Sequence, residues 1–194
     1  LKGKSVGLFG VMNGGKTRRV VGELGRAEHS GFTSRAYTSS RTEREVNSLM
    51  IDNSHPFPAQ SKELIEEIQK DLEGVVVEGE EVAAGIDEIN LFCGNEFEAK
   101  KVIEFIHWCG EKGIPLYMAG LLYDFRRREF GKVASILPYI NIKEEIKPVC
   151  KGWRRGRHCG IPANHSQRVW SREFAEQEGF NQIEESGYFN FYDK

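Results

Sequence analysis

Long apolar runs are missing from this sequence of 194 residues. Its longest apolar stretches, such as residues 113–122, fall well short of the roughly 20 apolar residues that a membrane-spanning helix needs. The first residues also lack the apolar segment of a secretory signal peptide. The sequence therefore predicts a cytoplasmic protein with no membrane partner.

An excess of either charge is also missing, because 27 Lys and Arg residues oppose 29 Asp and Glu residues and leave a net charge of −2. No overall positive field exists to attract nucleic acid or an anionic membrane. A nucleic-acid partner is therefore not expected, and any phosphate binding must be local. The hydrophobic fraction of 39% is enough for one core domain with a small appendage.

Cysteine is scarce, at four residues: Cys93, Cys109, Cys150 and Cys159. In a chain that is expected to work in a reducing compartment, cysteines are usually reduced thiols or metal ligands rather than disulfides. A disulfide framework is not expected here.

The most specific motif occupies residues 10–17, which match G-x-x-x-x-G-K-[ST] without a mismatch. A short apolar run at residues 6–9 precedes it and a predicted helix at residues 17–27 follows, which is the strand–turn–helix context of a phosphate loop. In that loop Lys16 reaches the β- and γ-phosphates and the Thr17 hydroxyl binds Mg²⁺. The alternative is a glycine-rich turn that happens to end in Lys-Thr. The predicted nucleotide-binding residues of the loop are Gly10, Met12, Asn13, Gly14, Gly15, Lys16 and Thr17.

The remaining pattern alternates between strand-like and helix-like segments, which predicts a mostly parallel α/β sheet flanked by helices. Residues 39–58 show no sustained periodicity and are interpreted as a long loop that orders on binding. Asn95 with Glu98 forms a capping box, and Ser61 is interpreted as another N-cap. The predicted strands are residues 5–9, 32–38, 75–77, 82–86 and 114–119. The predicted helices are residues 17–27, 61–72, 95–113 and 132–137.

A change of composition near residue 150 divides the chain. Glycine, arginine, histidine and cysteine replace the periodic apolar residues there. We therefore predict a nucleotide-binding domain over residues 1–149 and a small second unit over residues 150–194.

An acidic pair ends the predicted strand 82–86. In phosphoryl-transfer enzymes an aspartate at such a strand tip holds Mg²⁺, and a nearby carboxylate accepts the proton of the attacking hydroxyl. Asp87 fits the metal role and Glu88 fits the role of catalytic base. The alternative is a solvated acidic turn.

Several blocks together resemble the thymidine kinases of the cellular and bacterial type. The blocks follow one another in the family's order: the phosphate loop with Met12, residues 86–92, residues 120–126, residues 130–131, and residues 159–163 continuing to 166–168. The resemblance implies a P-loop α/β fold with a small C-terminal ribbon or lasso, and usually a homotetramer. It also implies transfer of the γ-phosphoryl group of ATP, with Mg²⁺, to the 5′-hydroxyl of thymidine or deoxyuridine.

The resemblance also assigns site residues. Glu88 matches the catalytic base, Arg41 matches an arginine near the phosphates, and Asn90 stands where the family has a longer amide of the nucleotide site. The residues that correspond to the nucleoside pocket are Met12, Leu91, Leu121, Phe125, Ser166 and Tyr188.

The departures from the family concern the substrate and metal sides of the site. Leu91 replaces an aromatic residue, and Ser39 and Leu122 each replace an aspartate. These changes leave two alternatives to a thymidine kinase: a related pyrimidine nucleoside kinase with altered base specificity, or a degenerate homologue that binds nucleotide without efficient turnover.

The zinc site of the family's ribbon is also incomplete. Cys150 and Cys159 are separated by eight residues and no cysteine follows them, whereas a structural zinc ordinarily needs four ligands. His158 and His165 would complete a Cys₂His₂ set. The alternative is a metal-free lasso with buried reduced thiols.

Overall fold

The structure is a computed structural model that describes residues 2–41, 48–50, 56–124, 126–150, 153–154, 157–158, 160–168 and 189–192. The strands are β1 Ser5–Gly10, β2 Thr33–Ser39, β3 Ser48–Met50, β4 Pro56–Pro58, β5 Gln60–Lys62, β6 Val82–Ile86, β7 Leu116–Gly120, β8 Ile142–Ile146, β9 Trp153–Arg154, β10 Arg157–His158, β11 His165–Arg168 and β12 Phe189–Tyr192. The helices are α1 Lys16–His29, α2 Ile65–Val77, α3 Glu96–Lys112 and α4 Val133–Ile136, with 3₁₀ turns at Ile89–Phe92 and Leu137–Tyr139.

Six of the strands form the central sheet in the order β5-β2-β6-β7-β1-β8. Each neighbouring pair in this sheet is parallel. The predicted α/β fold with a mostly parallel sheet is therefore confirmed. Because all six strands point the same way, the tips of β1, β7 and β6 lie side by side at one edge of the sheet, where ligands of open α/β sheets bind.

The two faces of the sheet carry separate apolar cores. Helix α1 covers one face, where Val20 and Leu24 pack with Val6 and Leu8 of β1. Helices α2 and α3 cover the other face, where their apolar side chains pack with Ile86 of β6 and Met118 of β7. This division follows from strand geometry, because successive side chains of a strand point to opposite faces.

Glycine at position 85 permits the close approach of α1 to β6. A Cβ atom there would lie 2.7 Å from Leu24 Cδ1 and 2.8 Å from Val20 Cγ1. Any larger side chain would push the helix away from the sheet. The start of α1 is thereby kept near the tip of β6.

Both ends of α3 lie at the residues that the sequence predicts, and α1 forms despite two glycines within it. Asn95 accepts a hydrogen bond from the Glu98 N–H at 3.0 Å, and Gly113 ends α3 in the left-handed conformation. Gly22 and Gly25 lie within α1, yet the helix forms because its opposite face is buried against the sheet.

The segment 60–77 differs from its prediction in two ways. Residues 60–62 form β5 on the edge of β2, so Ser61 is not an N-cap, and α2 begins after Leu64 without a side-chain cap. The predicted strand 75–77 is instead the last turn of α2. Val75 continues the helical spacing of buried Ile65, Ile68 and Leu72, and this burial outweighs the β-propensity of three successive valines.

The interpretation of residues 39–58 as one long loop was also wrong where the structure describes it. Strands β3 and β4 pair antiparallel, and Leu49 is buried in the core beneath α1.

The strand β8 was not predicted from the sequence. Lys143, Glu144 and Glu145 give its centre a charged appearance, which is typical of an edge strand.

Two further antiparallel pairs lie in the C-terminal region, β9 with β10 and β11 with β12. Within the part of the chain that the structure describes, no helix has the length and apolar character needed to cross a membrane.

Candidate nucleotide site

A cleft of about 340 Å³ opens at the carboxyl edge of the sheet. The phosphate loop forms one wall, and the tips of β6 and β7 form the other. The lining residues are Met12, Asn13, Gly14, Gly15, Lys16, Thr17, Arg18, Asp87, Glu88, Asn90, Gly120 and Leu121.

Close backbone contacts hold the phosphate loop in place. A Cβ atom on Gly10 would lie 2.1 Å from the carbonyl oxygen of Ile146 in β8, so only glycine fits there. Gly15 is the N-cap of α1 and, like Asn13, has a positive φ. Glycine adopts this conformation freely and asparagine tolerates it.

The start of α1 supplies positive charge to the cleft. The first helical hydrogen bond runs from the Arg19 N–H to the Gly15 carbonyl at 3.0 Å, so the helix itself offers no acceptor to the preceding N–H groups. Lys16 lies above the loop and donates to the Val11 carbonyl at 2.6 Å. The first turn contains no acidic residue. Together these features favour an anion at the helix start.

Asp87 meets the phosphate loop from the tip of β6. Its Oδ2 accepts a hydrogen bond from Thr17 Oγ1 at 2.7 Å, and its Oδ1 accepts from the Glu88 N–H at 3.0 Å. Burial raises the pKa of Asp87 above its ordinary value, although the hydrogen bond from Thr17 opposes the rise. A buried carboxylate of this kind is stabilised by a cation beside it.

The Thr17 hydroxyl and the Asp87 carboxylate fit a magnesium ion. Mg²⁺ prefers oxygen ligands, and it commonly uses one or two protein groups together with phosphate and water oxygens. The described residues contain no cluster of three or more His, Cys, Asp or Glu side chains that would form a site made of protein ligands alone. The two protein oxygens of Thr17 and Asp87 suit a metal that takes its other ligands from phosphate and water.

Glu88 follows Asp87 in an unusual backbone conformation, with φ of 55° and ψ of 44°. Left-handed backbone costs a non-glycine residue roughly 1–2 kcal/mol, and such residues cluster at functional sites. Its carbonyl accepts from the Leu91 N–H at 2.8 Å, which begins the 3₁₀ turn. This turn holds the half-buried Glu88 at the cleft.

Asn90 connects the acidic turn to the tip of β7. Its side chain is buried, and its Oδ1 accepts from the Leu121 N–H at 3.0 Å. A Cβ atom on Gly120 would lie 3.0 Å from that same oxygen. Asn90 thus lines the cleft while it also fixes the start of the loop that follows β7.

A segment of the C-terminal region contacts the phosphate loop. Ser166 is buried, and its Oγ accepts a hydrogen bond from the Met12 N–H at 3.0 Å. Cys150 and Ala163 form a small apolar cluster with Val11 of the loop. The Cys150 N–H donates to the Ile161 carbonyl at 2.7 Å, next to the isolated bridge between Val149 and Pro162.

These features can be compared with known proteins. The chain matches the family described as "Thymidine kinase" over residues 6–186. This chain belongs to the thymidine kinase family. A curated relative named thymidine kinase, from Mesoplasma florum, is 26% identical over 166 residues, which cover 84% of this chain and 74% of that protein. A kinase fold and a nucleotide cleft are consistent with this membership.

The structure places the residues predicted from the resemblance to thymidine kinases in different parts of the molecule, with Leu91 half-buried in the 3₁₀ turn and outside the lining of the cleft. Met12, Leu121 and Asn90 line the cleft with the phosphate loop and the acidic pair. Ser166 lines a separate cavity of about 60 Å³ together with Val11. Phe125, Tyr188 and Cys159 lie outside the described residues.

Arg41, predicted to lie near the phosphates, has other partners in the structure. Its guanidinium donates to Glu98 at 2.9 Å and to the Leu91 carbonyl at 3.1 Å, and its N–H donates to Ser39 Oγ at 3.2 Å. The hydrogen bond from Arg41 lowers the pKa of Glu98. This pair lies at the start of α3, and Arg41 lines a neighbouring cavity of about 80 Å³ instead of the main cleft. Its role toward phosphate stays a prediction.

The cysteines that the structure describes, Cys93, Cys109 and Cys150, are buried and take no part in a disulfide. Burial raises the pKa of Cys93 to about 12 and raises that of Cys109 further above its ordinary value. Inert structural thiols have this environment. The predicted zinc site stays a prediction, because it depends on Cys159.

Arg18 is a residue of the cleft that was not predicted from the sequence. It is the third residue of α1 and lines the cleft beside Lys16. The signal was available, since the residue follows the motif directly and carries a charge that phosphate attracts.

Proposed function

We propose that this chain transfers the γ-phosphoryl group of ATP to the 5′-hydroxyl of thymidine or deoxyuridine, which yields the nucleoside 5′-monophosphate and ADP. The observation that supports this best is the 2.7 Å hydrogen bond between Thr17 and Asp87. It joins the phosphate loop to the acidic tip of β6 inside one cleft that Lys16 and Glu88 also line. Family membership supports the same reaction class.

On the donor side, the backbone of the phosphate loop cradles the phosphates, and Lys16 neutralises the oxygens that gain charge during transfer. Thr17 and Asp87 would hold Mg²⁺, which neutralises charge on the phosphate oxygens when it is bound. Because the transition state is loose, positioning and charge supply most of the catalysis.

On the acceptor side, Glu88 accepts the proton of the 5′-hydroxyl as that oxygen forms its bond to the γ-phosphorus. The bond from the γ-phosphorus to the bridging oxygen breaks, and ADP leaves with the electron pair. The backbone turn that holds Glu88 at the cleft supports this role, since a base must lie within reach of the proton that it removes.

The base of the nucleoside would contact Met12 and Leu121, which give the cleft its apolar part. Phe125, Leu91, Ser166 and Tyr188 complete the proposed pocket. Leu91 in place of an aromatic ring leaves more than one pyrimidine base compatible with the pocket, so base specificity is part of the test.

We further propose that residues 150–194 form the small unit that closes over the nucleoside, as a lasso with or without zinc. The hydrogen bond from the Met12 N–H to Ser166 supports a connection between this unit and the phosphate loop. A cytoplasmic homotetramer is proposed from family membership, and light scattering of the purified protein tests the tetramer.

The experiment is an incubation of the purified chain with Mg-ATP and, in separate reactions, thymidine, deoxyuridine, deoxycytidine and deoxyadenosine. We expect the 5′-monophosphate of thymidine or deoxyuridine, detected by chromatography, and none without Mg²⁺. A product from deoxycytidine alone would support the kinase with altered base specificity. No product with any nucleoside would contradict the proposed reaction.

A second candidate function is nucleotide binding without turnover. The pairing of Arg41 with Glu98 favours it, because this pairing keeps a cation away from the phosphate loop. Tight ATP binding in calorimetry, combined with no product in every reaction above, would support this alternative.

A further inference from the structure

Arg18 brings a second cation to the cleft. The charged side chains that line the cleft are Lys16, Arg18, Asp87 and Glu88. Without Arg18 a single lysine would face two carboxylates, and the formal charge of these side chains would be negative. With Arg18 the formal charges of these four side chains balance.

The other two arginines of α1, Arg19 and Arg26, are paired with acidic side chains. Arg19 lies 3.1 Å from Glu23 and 3.7 Å from Glu144, and Arg26 also pairs with Glu23. Arg18 is exposed and has no acidic partner among the residues that the structure describes. Its guanidinium therefore keeps its donors available to a ligand in the cleft.

We propose that Arg18 binds the phosphate chain of the donor nucleotide and acts as a second phosphate-positioning cation beside Lys16. The inference rests on the proposed donor role of the cleft. A guanidinium suits this task, since its planar fork of N–H groups matches phosphate oxygens and its charge persists at any physiological pH. The position also suits it, because Arg18 lies in the first turn of α1, where the helix dipole already favours an anion.

The test measures equilibrium binding of ATP and of inorganic tripolyphosphate to the whole chain by calorimetry, for the wild type, Arg18→Ala, Arg18→Glu and the control Arg19→Ala. Loss of a charge-assisted hydrogen bond costs roughly 1.5–3 kcal/mol, so Arg18→Ala should weaken the binding of both ligands by about 10- to 100-fold. Arg18→Glu should weaken it further. Glutamate is favourable in the first turn of a helix, so a folding defect is not expected in that variant.

Arg19→Ala should bind both ligands like the wild type, because Arg19 faces Glu23 and Glu144 rather than the cleft. Wild-type affinity in Arg18→Ala would overturn the inference, and so would an equal loss in Arg19→Ala, which would indicate a general effect of charge. The affinity for thymidine should be unchanged in all variants.

The outcomes also separate this inference from the proposed function. A loss of tripolyphosphate affinity in Arg18→Ala, in a protein that phosphorylates no nucleoside, would support the inference and contradict the function. Nucleoside phosphorylation by the wild type, combined with wild-type ATP affinity in Arg18→Ala, would support the proposed function and contradict the inference about Arg18.

Discussion

The two sides of the cleft are built in different ways. The proposed donor side consists of residues 10–18, which are contiguous and held by the backbone of a loop and the first turn of a helix. The proposed acceptor side would draw on separate elements, such as Glu88 after β6 and Leu121 after β7, with Ser166 of β11 in a neighbouring cavity. A contiguous motif carries most of its geometry in local backbone preferences, whereas a dispersed pocket depends on how distant segments pack.

The same difference bears on the departures from the thymidine kinase pattern that the sequence resemblance indicates. Residues 10–17 keep every position of the phosphate-loop motif, while the departures that the resemblance indicates, Leu91, Ser39 and Leu122, lie outside that motif. A substitution in the loop alters phosphate binding in every reaction the fold supports. A substitution in the pocket alters the choice of substrate and leaves the phosphate chemistry in place.

The largest effect is expected from Glu88→Gln, at the junction of the two sides. General base catalysis contributes about 10²- to 10⁴-fold, so kcat should fall by that factor. ATP affinity should be nearly unchanged, since the donor side is intact. Steady-state rates and calorimetry with ATP measure the two quantities.

Glu111→Gln is the control for this variant, because Glu111 is exposed in the last turns of α3. It should have wild-type kcat. Unchanged turnover in Glu88→Gln would remove Glu88 from the proposed role of base and leave that role to another group.

The next effect is on stability and tests how tightly the donor side is packed. In Gly10→Ala the new methyl group would lie 2.1 Å from the Ile146 carbonyl oxygen, which is backbone and cannot turn aside. Forcing extra atoms into a packed site costs typically about 1–3 kcal/mol, so the free energy of unfolding should fall by that amount in a denaturant titration.

Gly22→Ala is the matched control, because Gly22 lies within α1 and a Cβ atom there has no neighbour within 4 Å. Alanine is the better helix former by roughly 0.8–1 kcal/mol, so this variant should be more stable than the wild type. If the two variants had the same free energy of unfolding, β8 would have moved to accommodate the added methyl group at position 10. The phosphate loop would then be less rigid than its backbone contacts indicate.

The same contrast accounts for what could be predicted from the sequence. The phosphate loop, α1, β6 and the capping box of α3 were predicted correctly because each has a local signal at a fixed spacing. The strand β8 was missed because its charged centre resembles a loop until β1 pairs with it. The predicted strand 75–77 was wrong because the valines are consistent with either structure, and only the packing of Val75 against the core decides for a helix.

In the candidate site, residues with a local sequence signal were predicted, whereas contacts between distant segments were not. Asp87 and Glu88 were recognised at the end of an apolar strand, and the hydrogen bond from Thr17 to Asp87 agrees with the pairing of the two motifs. The partners of Ser166 and Arg41 could not be predicted, because each contact joins elements that are far apart in the sequence. Arg18 was overlooked although its position was local.

A smaller effect is expected from Ser166→Ala, which tests whether the donor side depends on the C-terminal region. Removal of the hydroxyl leaves the Met12 N–H without the acceptor that it has in the structure. The free energy of unfolding should fall by about 1 kcal/mol, and ATP should bind more weakly because Met12 belongs to the phosphate loop.

Ser166→Thr retains the hydroxyl and should restore both the stability and the ATP affinity. If Ser166→Ala binds ATP like the wild type, the phosphate loop keeps its shape without the C-terminal region. The ATP affinity of the phosphate loop would then depend on residues that are near it in the sequence and not on the C-terminal region.

The smallest effect concerns Arg41 and Glu98, and it decides to which side Arg41 belongs. The two side chains are partly exposed, with 37% and 19% of their side-chain surface accessible, and such pairs contribute about 0.2–1 kcal/mol. A double-mutant cycle of Arg41→Ala and Glu98→Gln should give a coupling energy in this range.

The coupling should also depend on pH. Because the folded-state pKa of Glu98 is lowered, the stability that Glu98 contributes is fully present above its ordinary pKa and is lost as the pH falls through the folded value. The coupling should therefore vanish in acid, and neither variant should change ATP affinity. If instead Arg41→Ala weakens ATP binding while Glu98→Gln does not, Arg41 leaves Glu98 when the nucleotide binds and belongs to the donor side.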